Sequence, residues 1–332
     1  MCKVSVVVPV YKVGKYIENS MKSVCMQTFK DFEVLLVDNN TPDESIEIAV
    51  NVLKTTDINY RVVKQTVQGL PAAREKGFVE AKGEWVVTID PDDTISPDYL
   101  EILFSCAVNA HVDLVFCQFK ETSENELFVF ETIKEQDFSI LERDIVMSKL
   151  LRRELSLMIT NSIINKSLYE KLCFGFDKEV VLGADLIFVW RLLLHLDRIG
   201  FIRTKLYNHF SRADSLITAP SSQKLESNLR GYKRLCDYMT QVYSKQFSRW
   251  VYAREVYALL SVVSLYGSYS LLLKNKETCY SEDVYSSLKS FPDRRIVLMN
   301  KILNTCPWLF YFINKHLRQP DSWISKLIHK QQ

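Results

Sequence analysis

Three carboxylates lie within four residues of one another in the string TIDPDD, where Asp90, Asp92 and Asp93 follow an apolar run. Closely spaced carboxylates repel one another unless a cation or hydrogen-bond donors neutralise them, and Mg²⁺ and Mn²⁺ prefer oxygen ligands and substrate phosphates. The cluster therefore predicts a site for a divalent metal and a diphosphate. The alternative is a turn in which Asp92 or Asp93 caps the helix that begins near Pro97.

A second candidate anion site is the segment QGLPAAR, which contains Gly69 and Arg74. Gly69 permits close backbone approach, the helix N-terminus that follows favours anions, and Arg74 has planar donors that can reach a phosphate or a base. Arg74 can also be a surface helix residue in a salt bridge. Asp38 ends another apolar run, where it can contact a ligand or stabilise a turn.

Alternating strand and helix patterns position these residues. Apolar, β-branched runs predict buried parallel strands, and the segments between them have helical spacing. Thr41 is expected to cap the second helix and Pro42 to lie in its first turn. The strands are expected at 3–10, 32–38, 60–65 and 84–90, and the other two helices at 15–28 and 72–81.

These patterns predict an α/β fold with an open, mainly parallel sheet flanked by helices and a mainly helical C-terminal region. Such sheets bind ligands at the carboxyl ends of their strands, here Pro9-Val10-Tyr11, Asp38-Asn39-Asn40 and the acidic cluster. The domains expected are a catalytic domain at 1–220, with halves at 1–120 and 121–220, and a helical, basic and aromatic region at 221–332.

Several motifs appear in a specific order: KVSVVVPVYK, FEVLLVD followed by NNTPDES, QGLPAAREKGFVEAKGEWV, and TIDPDD followed by SPDYL. In order and spacing they resemble the landmarks of family 2 glycosyltransferases, which have the GT-A fold. The resemblance covers residues 3–115 and returns more weakly at 182–218. It implies an enzyme of bacterial cell-surface polysaccharide or lipopolysaccharide synthesis.

The resemblance implies a site for a nucleotide sugar, usually a uridine diphosphate sugar, and a divalent metal, Mn²⁺ or Mg²⁺, on Asp92 and Asp93. Asn39 stands where the family often has a second Asp, which leaves the identity of the base open. The nucleotide-sugar contacts implied are Pro9, Val10, Tyr11, Asp38, Asn39, Gly69, Arg74, Asp90, Asp92, Arg212 and Ser215.

Asp185 is the general base that the resemblance implies. An inverting transfer needs a carboxylate on the face opposite the leaving diphosphate, where it takes the proton of the acceptor hydroxyl. The family commonly has Glu-Asp here, whereas this chain has Ala184-Asp185, so one carboxylate is left for the role. Asp185 can also cap the helix that begins there.

The composition is typical of a globular protein. Among 332 residues, 47% are hydrophobic, and 42 Lys and Arg nearly balance 40 Asp and Glu, which gives no sign of a nucleic-acid binder. The eight cysteines form no CxxC pair and the first residues do not form a signal peptide, so a cytoplasmic protein with reduced thiols is expected. The charge-free stretch Val256–Leu273 is expected to be a buried helix rather than a membrane span.

The charge is unevenly distributed, because residues 294–332 carry +6 and the remainder of the chain carries −4. Basic residues beside Trp and aliphatic residues at helical spacing suit an anionic membrane surface. The alternative is a helical subdomain that packs on the catalytic core or on a second subunit of a homo-oligomer. A membrane contact would place the protein on the inner face of the plasma membrane, with a lipid-linked acceptor.

The function expected is an inverting, metal-dependent transfer of a sugar from a nucleotide diphosphate sugar to a hydroxyl of a surface oligosaccharide, capsular or lipopolysaccharide acceptor. A nucleotidyltransferase would need a Gly-rich basic phosphate loop, which PVYKVGKYIE lacks. The non-enzyme alternative is a catalytically retired homologue that serves as a membrane-associated assembly partner. The departures Asn39 and Ala184 favour that alternative. The four aspartates that match the family pattern argue against it: Asp90, Asp92, Asp93 and Asp185.

Overall fold

The computed structural model describes residues 2–122, 130, 137–171, 175–181, 183–211 and 221–317. The chain divides into two compact units, Met1–Arg212 and Ala213–Gln332. The domain boundary expected at 220 ends a segment, 212–220, that lies outside the described residues, so that boundary stays a prediction.

A single mixed sheet forms the centre of the first unit, with the strand order β3-β2-β1-β4-β8-β6-β9-β5 and with β7 paired to β9. The four strands β3, β2, β1 and β4 are parallel, β8 is antiparallel to both β4 and β6, and β6 and β9 are again parallel. The strands are β1 Val4–Val10, β2 Phe32–Asp38, β3 Asn59–Lys64, β4 Trp85–Thr88, β5 Thr94–Ile95, β6 Leu114–Thr122, β7 Phe138–Glu142, β8 Ser162–Asn165 and β9 Arg198–Phe210.

Helices flank this sheet, which confirms the predicted fold class. They are α1 Ile17–Cys25, α2 Ser45–Leu53, α3 Leu70–Glu80, α4 Tyr99–Ala110, α5 Arg143–Leu151, α6 Lys166–Lys171 and α7 Ala184–Leu193. Every residue of β1 is buried, because the strand is covered on both faces. Helix α3 packs so closely on β1 that a Cβ at Gly77 would lie 2.1 Å from Cγ1 of Val7.

The start of α2 differs from the prediction that Thr41 caps it. The helix begins at Ser45, and Thr41 instead donates its hydroxyl to Oδ1 of Asp43 at 2.6 Å. Asp43 also accepts from the Ser45 hydroxyl at 2.6 Å, and its other oxygen accepts from the backbone N–H of Gly14 at 3.2 Å. The prediction was wrong because Asp43 organises a turn that joins this segment to the β1–α1 connection.

A buried carboxylate links separate segments of the chain at the amino end of the parallel strands. This is the edge of the sheet opposite the predicted site. Glu33 in β2 accepts hydrogen bonds from Oγ of Ser5 at 2.7 Å, from Nε of Arg61 at 3.0 Å and from the backbone N–H of Lys82 at 2.8 Å. Burial works to raise the pKa of Glu33, but the bonds from Arg61, Ser5 and Lys82 outweigh it and lower that pKa. Glu33 is therefore ionised and joins three segments.

The second unit is helical in its described part. It contains α8 Ser222–Val242, α9 Lys245–Tyr266, α10 Tyr269–Cys279, α11 Glu282–Lys289, α12 Arg294–Thr305, α13 Pro307–Phe312 and a π-helical turn at Ile313–Leu317. The charge-free stretch is shared between α9 and α10, which separate at Gly267, where a Cβ would lie 2.7 Å from the carbonyl oxygen of Val263. Within the described ranges, none of the helices has both the length and the apolar character that crossing a membrane requires.

Candidate active site

The predicted site lies at the carboxyl ends of β1, β2 and β4. Strand β1 is the point at which the parallel sheet reverses its direction of growth, with β2 on one side and β4 on the other. Ligands of open α/β sheets bind at such a point. Pro9 and Val10 end β1 as buried residues, whereas the side chain of Tyr11 that follows is exposed.

Asp38 is the last residue of β2, as predicted, and Asn39 follows directly from the strand. Oδ1 of Asp38 accepts from the backbone N–H of Thr41 at 3.0 Å, which stabilises the turn after the strand. The amide of Asn39 is buried and ties this turn to the loop before α3. Its Nδ2 donates to the carbonyls of Gln65 at 3.2 Å and Val67 at 2.7 Å, and its Oδ1 accepts from the N–H of Gly69 at 2.8 Å.

These contacts give a physical reason for the departure from the family pattern at Asn39. A carboxylate has no donors, so an Asp at this position could not bind two carbonyls. Gly69 is the residue before α3 and has φ 129, a backbone conformation that L side chains rarely adopt. Asn39 and Gly69 thus both shape the loop before α3. The nucleotide contacts predicted for them stay predictions.

Arg74 lies between two carboxylates that are far apart in the sequence. Its side chain is 1% exposed, its Nη2 is 2.6 Å from Oδ1 of Asp90, and its Nη1 forms an ion pair with Oδ2 of Asp185. Burial alone would lower the pKa of Arg74, but Asp185 and Asp90 together raise it, so the guanidinium is charged. One buried cation therefore brings together the predicted nucleotide contact and the predicted general base.

Asp185 is the second residue of α7, after Gly183, which has φ 77. Its side chain is 32% exposed, yet Oδ1 is buried and no described residue donates a hydrogen bond to it. Buried carboxylate oxygens normally have a partner. Oδ1 therefore keeps its capacity to accept a hydrogen bond.

Asp93 has a different environment from the other acids of its cluster. It is buried, Oδ2 accepts from the hydroxyl of Tyr207 at 2.5 Å, and Oδ1 accepts from the backbone N–H of Phe210 at 2.7 Å. Nδ1 of His209 lies 3.2 Å from both oxygens, and the hydrogen bond to Asp93 outweighs burial and raises the pKa of His209 to about 9. Asp93 thus joins the acidic loop to β9.

The donor set fits a divalent cation that is held partly by substrate. No group of three or more His, Cys, Asp or Glu side chains is arranged to hold a metal in the part of the chain that the structure describes. Mg²⁺ is usually bound by one or two carboxylates together with phosphate oxygens and water. Asp92 is partly exposed and can serve in this way, whereas a cation on Asp93 would compete with donors from β9. The metal roles of both residues stay predictions.

Two further predicted contacts, Arg212 and Ser215, lie outside the described residues. The partners of Asp93 on β9, which are Tyr207, His209 and Phe210, were not predicted from the sequence. The signal available was the polar string YNH near the end of β9. Such a string indicates buried partners, but it does not say which acid they meet.

Comparison with protein families gives one match that spans half of the chain. The model described as "Glycosyl transferase family 2" matches residues 5–173. Among curated proteins, the chain is 26% identical to the cholesterol galactosyltransferase of Borreliella burgdorferi, over 91% of each chain.

Solved structures show the same fold at low sequence identity. TarS 1–349 of S. aureus in complex with UDP has a TM-score of 0.65 and 18% identity, over 99% of this chain and 92% of that one. The mannosyltransferase PcManGT of Pyrobaculum calidifontis, in complex with GDP-Man and Mn²⁺, has a TM-score of 0.52 and 16% identity, over 92% and 88%.

Proposed function

The chain belongs to glycosyl transferase family 2, and we propose that it transfers a sugar, with inversion, from a UDP-sugar to a hydroxyl of a cell-surface oligosaccharide, capsular or lipopolysaccharide acceptor. The observation that carries the proposal is the ion-pair arrangement in which Arg74 joins Asp90, beyond β4, to Asp185, at the start of α7. The two carboxylates that we assign to donor binding and to proton removal thus contact separate nitrogens of one guanidinium. The UDP bound to TarS supports a uridine nucleotide.

In the proposed reaction, Asp185 removes the proton from the acceptor hydroxyl as that oxygen attacks the anomeric carbon. The new bond forms between the acceptor oxygen and the anomeric carbon, and the bond between that carbon and the diphosphate oxygen breaks. The electron pair of the broken bond leaves with the diphosphate, and the proton remains on Asp185. The turn after β1 and the Asp38 turn hold the nucleoside, and Asp90 accepts from a ribose hydroxyl.

Asp92, and Asp93 where its β9 donors give way, would hold a divalent metal together with the diphosphate. When bound, such a metal offsets the negative charge that builds on the leaving diphosphate. The Mn²⁺ bound to PcManGT supports this assignment.

The reaction is tested by incubating the full chain with UDP-sugars, Mn²⁺ and lipid-linked oligosaccharide acceptors and measuring both UDP release and product. Asp185→Asn should lower the transfer rate at least 10³-fold and leave UDP binding within about threefold, because the base acts in the chemical step. Asp57→Asn is the matched control, since Asp57 is exposed between α2 and β3. Transfer at the wild-type rate by Asp185→Asn would refute the base, and absence of product with every donor would favour the retired homologue.

The second unit supports a membrane-associated setting for this reaction. Residues 294–317 contain four basic residues and no acidic one. Leu298 and Trp308 are 59% and 56% exposed, and Trp308 stacks on the partly exposed Phe312 with ring centroids 5.4 Å apart. Exposed aromatic residues among cations suit the interface of an anionic membrane. We propose that this α12–α13 patch, Arg294–Leu317, binds the inner face of the plasma membrane, where a lipid-linked acceptor is available.

The membrane contact is tested by co-sedimentation of the full chain with vesicles of phosphatidylcholine containing 30% phosphatidylglycerol. Trp308→Ser combined with Phe312→Ser should reduce the bound fraction at least fivefold, and 0.5 M NaCl should reduce wild-type binding, because salt screens surface charge. Val242→Ser, at an exposed apolar position on α8, is the control. Unchanged vesicle binding would refute the patch, and a dimer that the double substitution dissociates would assign it to a second copy of the chain.

A further inference from the structure

Helix α3 contacts the segment that carries Asp185 at three positions, and Arg74 is the first. The helix that carries Arg74 packs closely on the sheet, because Gly77, one turn further along, lies directly against Val7 of β1. The helix therefore has no room to shift toward β1. The position of Asp185 relative to β1 and β4 is therefore set through a rigid element.

The second contact is made by the next residue, Glu75. It forms an ion pair with Lys178, and its Oε1 lies so close to Gly175 that a Cβ there would be 2.0 Å away. Lys178 and Gly175 belong to the described segment 175–181, which precedes α7.

The third contact is aromatic. Phe78 of α3 packs on Phe188 of α7 and on Phe176, with ring centroids 5.7 Å apart in both cases, and Phe176 stacks on Phe188 at 4.2 Å. Phe188 lies one helical turn after Asp185, so this packing fixes the rotation of α7 and with it the direction of the carboxylate. Arg74 and Phe78 lie on the same face of α3 because they are four residues apart.

We infer that Arg74 is a positioning residue for the transfer step, which holds Asp185 at a set place relative to the donor-site carboxylate Asp90. The inference rests on the proposed function. Oδ2 of Asp185 stays paired with Arg74 while Oδ1 takes the proton of the acceptor hydroxyl. A planar guanidinium can bind two carboxylates at once through separate nitrogens, whereas a lysine ammonium is a single point charge.

This role predicts that a substitution of Arg74 lowers the rate of transfer without changing the affinity for the nucleotide. Arg74→Lys keeps the charge but loses one of the two contacts, and a displacement of about 1 Å at a reacting group lowers the rate about 10²-fold. We expect kcat to fall about 10²-fold, while the KM for the UDP-sugar and the Kd for UDP change less than threefold. A residue that contacts the nucleotide directly would instead raise that Kd and leave kcat near its wild-type value.

The experiment measures kcat, KM, UDP affinity and melting temperature for Arg74→Lys, Asp185→Asn and the double variant. Arg61→Lys is the matched control, because Arg61 also pairs with a buried carboxylate, Glu33, at the opposite edge of the sheet. It should lower the melting temperature without changing kcat. If Arg74 acts through Asp185, the double variant should be no slower than Asp185→Asn alone.

The outcomes separate this inference from the proposed function. Wild-type activity of Asp185→Asn would overturn both. A slow Asp185→Asn together with unchanged kcat in Arg74→Lys would overturn the inference alone, and so would a double variant that is slower than Asp185→Asn by the full factor of Arg74→Lys. If Arg74→Lys does not fold, Lys178→Ala tests the same contact surface at a half-exposed position, where kcat should fall at least threefold with unchanged UDP affinity; unchanged kcat there would overturn the inference.

Discussion

Replacing Asn39 by Asp should destabilise the protein even though family resemblance makes Asp the more usual residue. The amide is 2% exposed and donates to two carbonyl oxygens, those of Gln65 and Val67, at 3.2 and 2.7 Å. In Asn39→Asp, a carboxylate oxygen would face both of these carbonyl oxygens, to which it cannot donate a hydrogen bond. Leaving a buried polar group unpaired costs about 1–3 kcal/mol, so for these carbonyls we expect the free energy of unfolding at pH 7 to fall by about 3 kcal/mol.

Urea unfolding at several pH values measures this effect. Burial beside two carbonyls raises the pKa of the introduced carboxyl in the folded state, so the folded variant binds a proton more readily than the unfolded chain. The protonated form can donate to one carbonyl. The difference from wild type should therefore be largest at pH 7 and shrink as the pH falls toward 5. UDP affinity should fall in parallel, because the two lost hydrogen bonds join the turn after β2 to the loop that leads to Gly69.

Asn40→Asp is the matched control at the neighbouring position. Asn40 is exposed, and its Nδ2 makes a single hydrogen bond to the carbonyl of Thr66 at 3.0 Å. Its φ of 57 suits Asp as well as Asn. We expect a loss below about 1 kcal/mol there. Equal stability of the two variants, or tighter UDP binding by Asn39→Asp, would refute the argument that the amide serves the loop.

Three other perturbations test separate parts of the structure. Gly77→Ala should lower the free energy of unfolding by about 1–3 kcal/mol through the clash with Val7, measured by urea unfolding; an unchanged value would mean that α3 can move off β1. Glu33→Gln should be less stable than wild type at pH 7, and the difference should shrink as the pH falls below about 4.5, because Arg61 lowers the pKa of Glu33 in the folded state and that stabilisation is lost on protonation; a difference that stays constant with pH would contradict this. EDTA should abolish UDP release and added Mn²⁺ should restore it, whereas Asp92→Asn should raise the Mn²⁺ concentration needed at least tenfold; full activity in EDTA would exclude the metal.

Much of the parallel half of the sheet could be predicted from the sequence. Strands β1 and β2 are apolar on both faces, so their extent follows from composition alone, and β2 was predicted at its observed bounds. The placement of acids at strand ends then follows from topology. The short strands β5 and β8, which pair in antiparallel fashion, were not predicted, because they have two and four residues, too few for a periodic pattern.

The partners of the site residues could not be predicted in the same way. Arg74 was considered as a nucleotide contact or a surface salt bridge. The structure buries it in ion pairs with Asp90 and Asp185, two partners that neither interpretation specified, and the nucleotide contact stays a prediction. Nothing in the local sequence around Arg74 specifies a partner that reaches it from a different helix. The error at Thr41 has a related origin, since Asp43 is fixed by Gly14 and thus by a contact across two loops.

The hydrogen bond between Tyr207 and Asp93 also affects the order in which the protein folds during its synthesis. The two residues are 114 positions apart in the chain. At about 5–20 residues per second, a ribosome takes about 6–23 s to add the intervening segment. During that time the acidic loop after β4 has been synthesised without the donors that will surround Asp93. The nascent chain can therefore form these hydrogen bonds to Asp93 only after β9 has emerged. The pairing of β9 with the acidic loop is thus a late step in the folding of the first unit.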